Sequence, residues 1–200
     1  MKKIWFTLAL ALGLATAAQA VPVPPDVAVR DTTEKMRALI RDNHDVYKAD
    51  KTKFYAVVDD VLLPRFDVNT ITKLVLGRNG KDATPDQKMR FAKAFKNSLI
   101  RNYADALLDN YDTVDAKFQP VRMAPDATDV TVKSELTRKN GQPPVQVSFS
   151  MNLVDGEWKV YDVIIGNLSL ITSFRGQFNE EIKKNGLEAL ITKLETGDFV

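Results

Sequence analysis

The spacing of hydrophobic residues changes from helical to strand-like at Tyr111 and returns to helical at Ser169. Up to Tyr111, Phe91, Phe95, Leu99, Tyr103 and Leu107 recur every four residues, the mark of a long amphipathic helix buried along one side. After Tyr111 the period is two. Val114, Ala116 and Phe118 alternate with Asp115, Lys117 and Gln119, and Val130, Val132, Ser134 and Leu136 with Thr131, Lys133 and Glu135. The cleanest alternation sets Val145, Val147, Phe149, Met151 and Leu153 against Gln146, Ser148, Ser150 and Asn152. A fourth strand is predicted over 158–165. Asn140-Gly141 and Asp155-Gly156 fall between strands and read as hairpin turns. These strands form an antiparallel meander with one wet and one apolar face. Helices kept apart from such a sheet give an α+β fold, in which they cover the sheet's apolar side.

Start and stop signals divide the rest. A helix over 26–48 carries Val29, Met36, Leu39 and Ile40 on one face, and a second over 51–63 carries Phe54, Val57, Val58, Val61 and Leu62 before Pro64 stops it. Asp67 caps a third helix bearing Ile71, Leu74, Val75 and Leu76, which Gly77 ends. Thr84, Pro85 and Gln87 make a capping box for the fourth. Ser169 caps a helix with Leu170, Ile171, Phe174, Phe178 and Ile182, and a last one carries Leu187, Leu190, Ile191 and Leu194. The expected order is four helices, four strands and two helices.

Residues 1–20 read as a secretory signal: Lys2 and Lys3, an apolar run over 4–18, then Ala18-Gln19-Ala20 as cleavage site. Cleavage after Ala20 leaves 21–200 as a single domain. There are 28 basic and 26 acidic residues, so losing Lys2 and Lys3 balances the mature chain. There is no cysteine, which excludes disulfides, thiol catalysis, thiolate metal sites and a lipid-modified N-terminal cysteine. The expected compartment is the bacterial periplasm.

Catalytic signals are sparse. His44, the single histidine, sits in a polar stretch of the first helix and reads as a solvated side chain. There is no G-x-S-x-G elbow, P-loop or G-x-G-x-x-G. Asp59-Asp60 are helix neighbours about 100° apart, and Tyr161-Asp162 on a strand should point to opposite sides of the sheet. Neither a catalytic nor a metal-binding residue is expected, nor a cofactor. Charge is uneven: residues 65–101 hold nine basic and three acidic residues, residues 102–135 three basic and seven acidic. The basic arc reads either as a solvated face or as a docking face, with Lys88, Lys93 and Lys96 as its candidate contacts. No aromatic interleaving supports nucleic-acid binding.

Phe66-Asp67, Leu74-Val75-Leu76-Gly77-Arg78, Ala83-Thr84-Pro85-Asp86-Gln87, Phe91 and Phe95 appear in this order. Gly141-Gln142-Pro143-Pro144-Val145, Trp158, Tyr161-Asp162-Val163, Ser169-Leu170-Ile171, Phe174-Arg175 and Phe178 follow. Their joint order resembles the MlaC, or toluene-tolerance, family of periplasmic phospholipid carriers. Two departures stand out: Asn79-Gly80-Lys81 replaces a loop that usually holds an aromatic residue, and Gly166-Asn167 replaces Glu-Gly. The resemblance implies a cone similar to nuclear transport factor 2, with acyl tails in an apolar cavity between helices and a four-stranded sheet. It also implies a monomeric carrier without catalysis that shuttles phospholipid between an outer-membrane lipoprotein–porin complex and an inner-membrane ABC transporter complex, and so helps maintain outer-membrane lipid asymmetry. The alternatives are a ligand-free periplasmic partner-binding or chaperone module and an enzyme on the same cone.

Such a carrier has a physical requirement. Two tails of about fifteen methylenes carry roughly 24 kcal/mol of water avoidance at about 0.8 kcal/mol each. Non-covalent binding saturates near about −18 to −21 kcal/mol, so the protein must offer an apolar space that replaces the bilayer interior. On the strands, Val130, Val132, Val147, Phe149 and Met151 face the helices and are the expected lining. Leu74, Val75, Phe91, Phe95, Leu99, Ile171 and Phe174 are the expected opposing wall. Periodicity places these twelve inside; only the resemblance makes that inside hollow.

Overall fold

In the computed structural model, which describes residues 22–199, the change of period at Tyr111 separates helices from sheet. The signal sequence assigned to 1–20 lies outside the described residues. Helix α1 spans Pro25–Ala49 and α2 spans Lys51–Val61, with Asp50 between them accepting from the Thr52 and Lys53 amides. Pro64 does not simply end α2, because a 3-10 turn over Leu63–Arg65 continues it with the proline where no amide is needed. Helix α3 spans Val68–Leu76 and closes on Gly77. A short α4, Asn79–Asp82, stands where a loop is expected. Helix α5, Pro85–Asn110, starts on the predicted capping box, with Thr84 and Gln87 each bonding the other's amide.

Five strands follow, one more than expected: β1 Val114–Phe118, β2 Asp129–Arg138, β3 Val145–Val154, β4 Glu157–Ile165 and β5 Leu168–Ser169. They pair antiparallel in sequential order. The short β5 arises because Gly166 takes a positive φ of 60°, turning the chain back within two residues. Gly166, and not Asn167, supplies the left-handed residue that this turn needs. Helices α6, Leu170–Asn185, and α7, Leu187–Thr196, complete the chain.

One irregularity sets which β4 residues face inward. The register slips between Ser150 and Met151: Ser150 lies opposite Asp162, but Met151 lies opposite Val160. Tyr161 is the extra residue of a bulge. Trp158 and Val160 therefore share a face with Val163 and Ile165, although their numbers differ in parity. Tyr161 and Asp162 then share the outer face instead of opposing ones. Tyr161 is shifted up by burial and a hydrogen bond to Asp129, and Asp162 accepts from Ser169 Oγ and the Ile171 amide, anchoring α6.

Candidate functional site

The apolar interior divides into three packed clusters. Val75, Leu76, Phe91, Phe95, Ile171, Phe178, Leu190, Ile191 and Leu194 join α3, the first half of α5, α6 and α7. Met36, Ile40, Tyr47, Phe54, Val58, Ala104 and Leu108 join α1, α2 and the second half of α5. Val29, Val130, Val132, Met151, Trp158 and Val160 join the sheet to the start of α1. Where these clusters do not meet, two hollows remain.

The first hollow, about 540 Å³, lies between α1, α5 and the sheet. Met36 and Ile40 line it from α1, Tyr103, Ala106 and Leu107 from α5, and Phe118, Leu136, Phe149, Met151, Trp158, Val160 and Ile165 from the sheet. The second, about 450 Å³, lies between α2, α3 and α5, with Val163 and Leu170 closing it. Leu62, Phe66, Tyr103 and Leu107 line both, so the two are lobes of one cavity with a shared partition. Each lies within the range of about 300–1,000 Å³ typical of small-molecule sites. Thr32 and Thr33 in the first wall turn their hydroxyls onto the Ala28 and Val29 carbonyls at 2.7 and 2.9 Å, which keeps that wall apolar. Tyr103 and Ile165 are 54% and 45% exposed, and both line the first hollow.

The twelve expected lining residues separate into two groups. Phe95 and Leu99 face the second lobe, Phe149 and Met151 the first. The other eight line neither lobe. Leu74, Val75, Phe91, Ile171 and Phe174 belong to or pack on the α3–α5–α6–α7 cluster. Phe91 and Phe178 make an edge-to-face contact at 5.6 Å, as do Phe95 and Phe174 at 5.0 Å. Val130 and Val132 are in the sheet cluster, and Val147 is buried beside Ser134, whose hydroxyl donates to its carbonyl. Inward orientation is common to all twelve; the distance to the facing element decides which meet packing and which meet space.

The lobe residues missed by periodicity include Phe66, those on α1 and at the far end of α5, and Phe118, Leu136, Trp158, Val160 and Ile165 of the sheet. A signal was present. The four-residue stripe on α5 advances about 40° per step around a 3.6-residue helix, so Tyr103 and Leu107 leave the packed side. Ala104 and Leu108, on another side of the helix, pack into the α1–α2 cluster instead. An apolar stripe that outruns its own packed face marks a second environment.

Charged side chains are placed with equal selectivity. Lys96 lines the second lobe and pairs with Asp59 at 2.9 Å, tying α5 to α2. Arg37 bonds Asp115 at 3.1 Å and the Val114 carbonyl, tying α1 to β1 beside the first lobe. Arg90 bonds Glu188 and Glu195 of α7 and holds both carboxyls below the usual range. Lys88, Lys93 and Lys96 do not form one face, since Lys88 and Lys93 are about 140° apart on α5. His44 is half-buried, its ring 5.3 Å from Tyr111 and its Nδ1 3.5 Å from Asp45. Among the described residues no group of His, Cys, Asp and Glu is placed to hold a metal, and no helix is long and apolar enough to cross a membrane.

A family model described as MlaC protein matches residues 30–196. The toluene tolerance protein ttg2D of Pseudomonas putida is 32% identical over 84% of this chain and 76% of its own. The intermembrane phospholipid transport system binding protein MlaC of Haemophilus influenzae is 26% identical over 96% of this chain and 92% of its own. The crystal structure of a phospholipid-binding protein from Ralstonia solanacearum in complex with a phospholipid superposes with a TM-score of 0.78. It is 31% identical, covering 88% of this chain and 97% of that one.

Proposed function

The chain belongs to the MlaC family, and we propose that it is a periplasmic phospholipid carrier whose two lobes take the acyl tails while the headgroup stays at the surface. The observation that carries this reading is the partitioned apolar cavity, with Tyr103 and Leu107 of α5 and Leu62 and Phe66 lining both lobes. A tail in each lobe covers side chains that water would otherwise wet, at about 25 cal/mol per Å². The lipid leaves one apolar medium for another, so transfer is close to neutral and direction comes from the membrane complexes at either end. Those are an outer-membrane lipoprotein–porin complex and an inner-membrane ABC transporter complex, and the carriage between them maintains outer-membrane lipid asymmetry. The similarity to a phospholipid-binding protein and to an intermembrane phospholipid transport binding protein supports the same reading.

Native mass spectrometry of protein purified from the periplasm tests it. The expected result is a discrete added mass equal to one or two phospholipids. Bare protein after gentle purification, or turnover of an added substrate, would overturn it in favour of a partner-binding module or an enzyme.

A further inference from the structure

Outside the lipid cavity, two grooves flank the short helix α4 and share Leu76 and Gly77 as a common ridge. The groove on the α5 side, about 710 Å³, is lined by Lys73, Lys81 and Lys88. The groove on the α6 side, about 620 Å³, is lined by Arg78, Arg175 and Lys183. Among the described residues no acidic side chain lines either groove, although Lys183 pairs with Glu180 at 2.9 Å beside the second. Elsewhere in the basic arc three of the five cations are engaged: Arg90 with Glu188 and Glu195, Lys96 with Asp59, Arg101 with the Leu194 carbonyl. Here, Lys73, Arg78, Lys81 and Lys88 are all exposed, and among the described residues none has a carboxylate within ion-pair distance.

One of these cations is held in place. Arg175 Nε donates to the Leu74 carbonyl at 2.7 Å, one of the carbonyls that the end of α3 leaves unpaired. Its stem crosses Gly77, where an added Cβ would lie 3.6 Å from Arg175 Cδ. With Nε committed, the two terminal nitrogens remain to grip a carboxylate in the forked geometry that arginine favours.

We propose that these grooves dock an acidic polypeptide segment, whose carboxylates meet Arg175 and Arg78 on one side of α4 and the lysines on the other. Concavity favours a polypeptide over a bilayer, because a chain can follow both grooves while a planar surface meets only the exposed tips of their cations. The lining also offers no exposed aromatic or leucine side chain of the kind that seats a protein in a membrane interface: Leu76 is buried, and Met89 is its one well-exposed apolar side chain. The position suits a carrier, a purpose that rests on the reading above: Thr72 and Ala92 line both the α5-side groove and the second lipid lobe. A partner seated here would touch the outside of the lobe's wall.

The test uses the full chain and a short fluorescein-labelled peptide of alternating Glu and Ser, followed by anisotropy and by amide NMR shifts. Binding is expected to shift residues 77–82 and to weaken with salt. The triple variant R78E/K81E/K88E should bind about tenfold less tightly with an unchanged melting curve. Arg175→Lys, which keeps the charge and loses the fork, should bind several-fold less tightly. Shifts centred on another basic surface, or equal binding by the triple variant, would overturn the proposal. So would anionic phosphatidylglycerol vesicles that bind through these residues when the peptide does not, or inorganic phosphate that displaces the peptide at equal concentration. Lipid occupancy of wild type and triple variant, read by native mass spectrometry, is expected to be equal. A wild type that carries no lipid would count against the carrier reading and leave the groove result standing.

Discussion

Single residues hold the ends of α3. At its C-terminus Gly77 has φ +52° and lies under the Arg175 side chain. Gly77→Ala places a Cβ in a left-handed conformation and should cost about 1–2 kcal/mol in denaturant unfolding; an unchanged midpoint would mean that the turn relaxes freely. At its N-terminus Asp67 accepts from the Thr70 amide at 3.0 Å and from Asn152 Nδ2 at 2.7 Å, joining the helix cap to β3. Burial alone would raise this carboxyl, but the hydrogen bonds from Asn152 and Thr70 outweigh it and hold it below its ordinary value of 3.8. A carboxyl depressed by folding stabilises fully above its ordinary range and loses that contribution as the pH falls through it. Asp67→Ala should therefore cost about 1–3 kcal/mol at neutral pH, and the gap to wild type should narrow in acid. A gap independent of pH would assign the loss to packing.

Elements explain why orientation was legible in the sequence and depth was not. Strand β3 alternates as expected, and both Val147 and Phe149 point inward, yet Phe149 borders the first lobe and Val147 does not. Val147→Trp should overpack and cost about 1–3 kcal/mol in delipidated protein. Phe149→Trp should keep the delipidated stability and lower lipid occupancy, because the indole occupies space meant for a tail. Equal melting losses for both would place Phe149 in solid core. Strand β4 carries the complementary lesson. Its inward set is Trp158, Val160, Val163 and Ile165, which no strict alternation yields, because the bulge at Tyr161 depends on pairing with β3.

For the whole molecule, the exposed faces of Tyr103, Leu107 and Ile165 imply that the empty protein is less stable than the loaded one. A ligand present at about a hundred times its Kd adds about 2.7 kcal/mol, which for a chain of this size raises the Tm by roughly 5–10 °C. Scanning calorimetry before and after delipidation measures this, and coincident melts would show that nothing fills the hollow. Of the three cations bordering the lobes, Arg37 and Lys96 are already bonded to protein partners, and Arg65 alone has no ion pair among the described residues, so most of the binding energy lies with the tails. Lipid extracted from the purified protein should follow the composition of the membrane; strong enrichment of one headgroup would contradict this.

The amino-acid sequence by itself determined the elements. Periodicity placed the helices other than the short α4 and four of the five strands, and Thr84, Asp67, Ser169 and the glycines marked their ends, because caps and turns are satisfied within a few residues of chain. It also determined which side chains turn inward, except on β4, where the bulge at Tyr161 decides. The tertiary structure alone decided that eight of the expected lining residues meet only packed neighbours, while Leu99 and Phe149 border a hollow and Phe95 and Met151 border one from within packed clusters. It decided, too, that Arg90 is neutralised by Glu188 and Glu195 about a hundred residues away, whereas Arg78 is left free. Inward orientation is a local property of a strand or helix. A cavity is the failure of distant elements to touch, and the same apolar residues serve whether they touch or not.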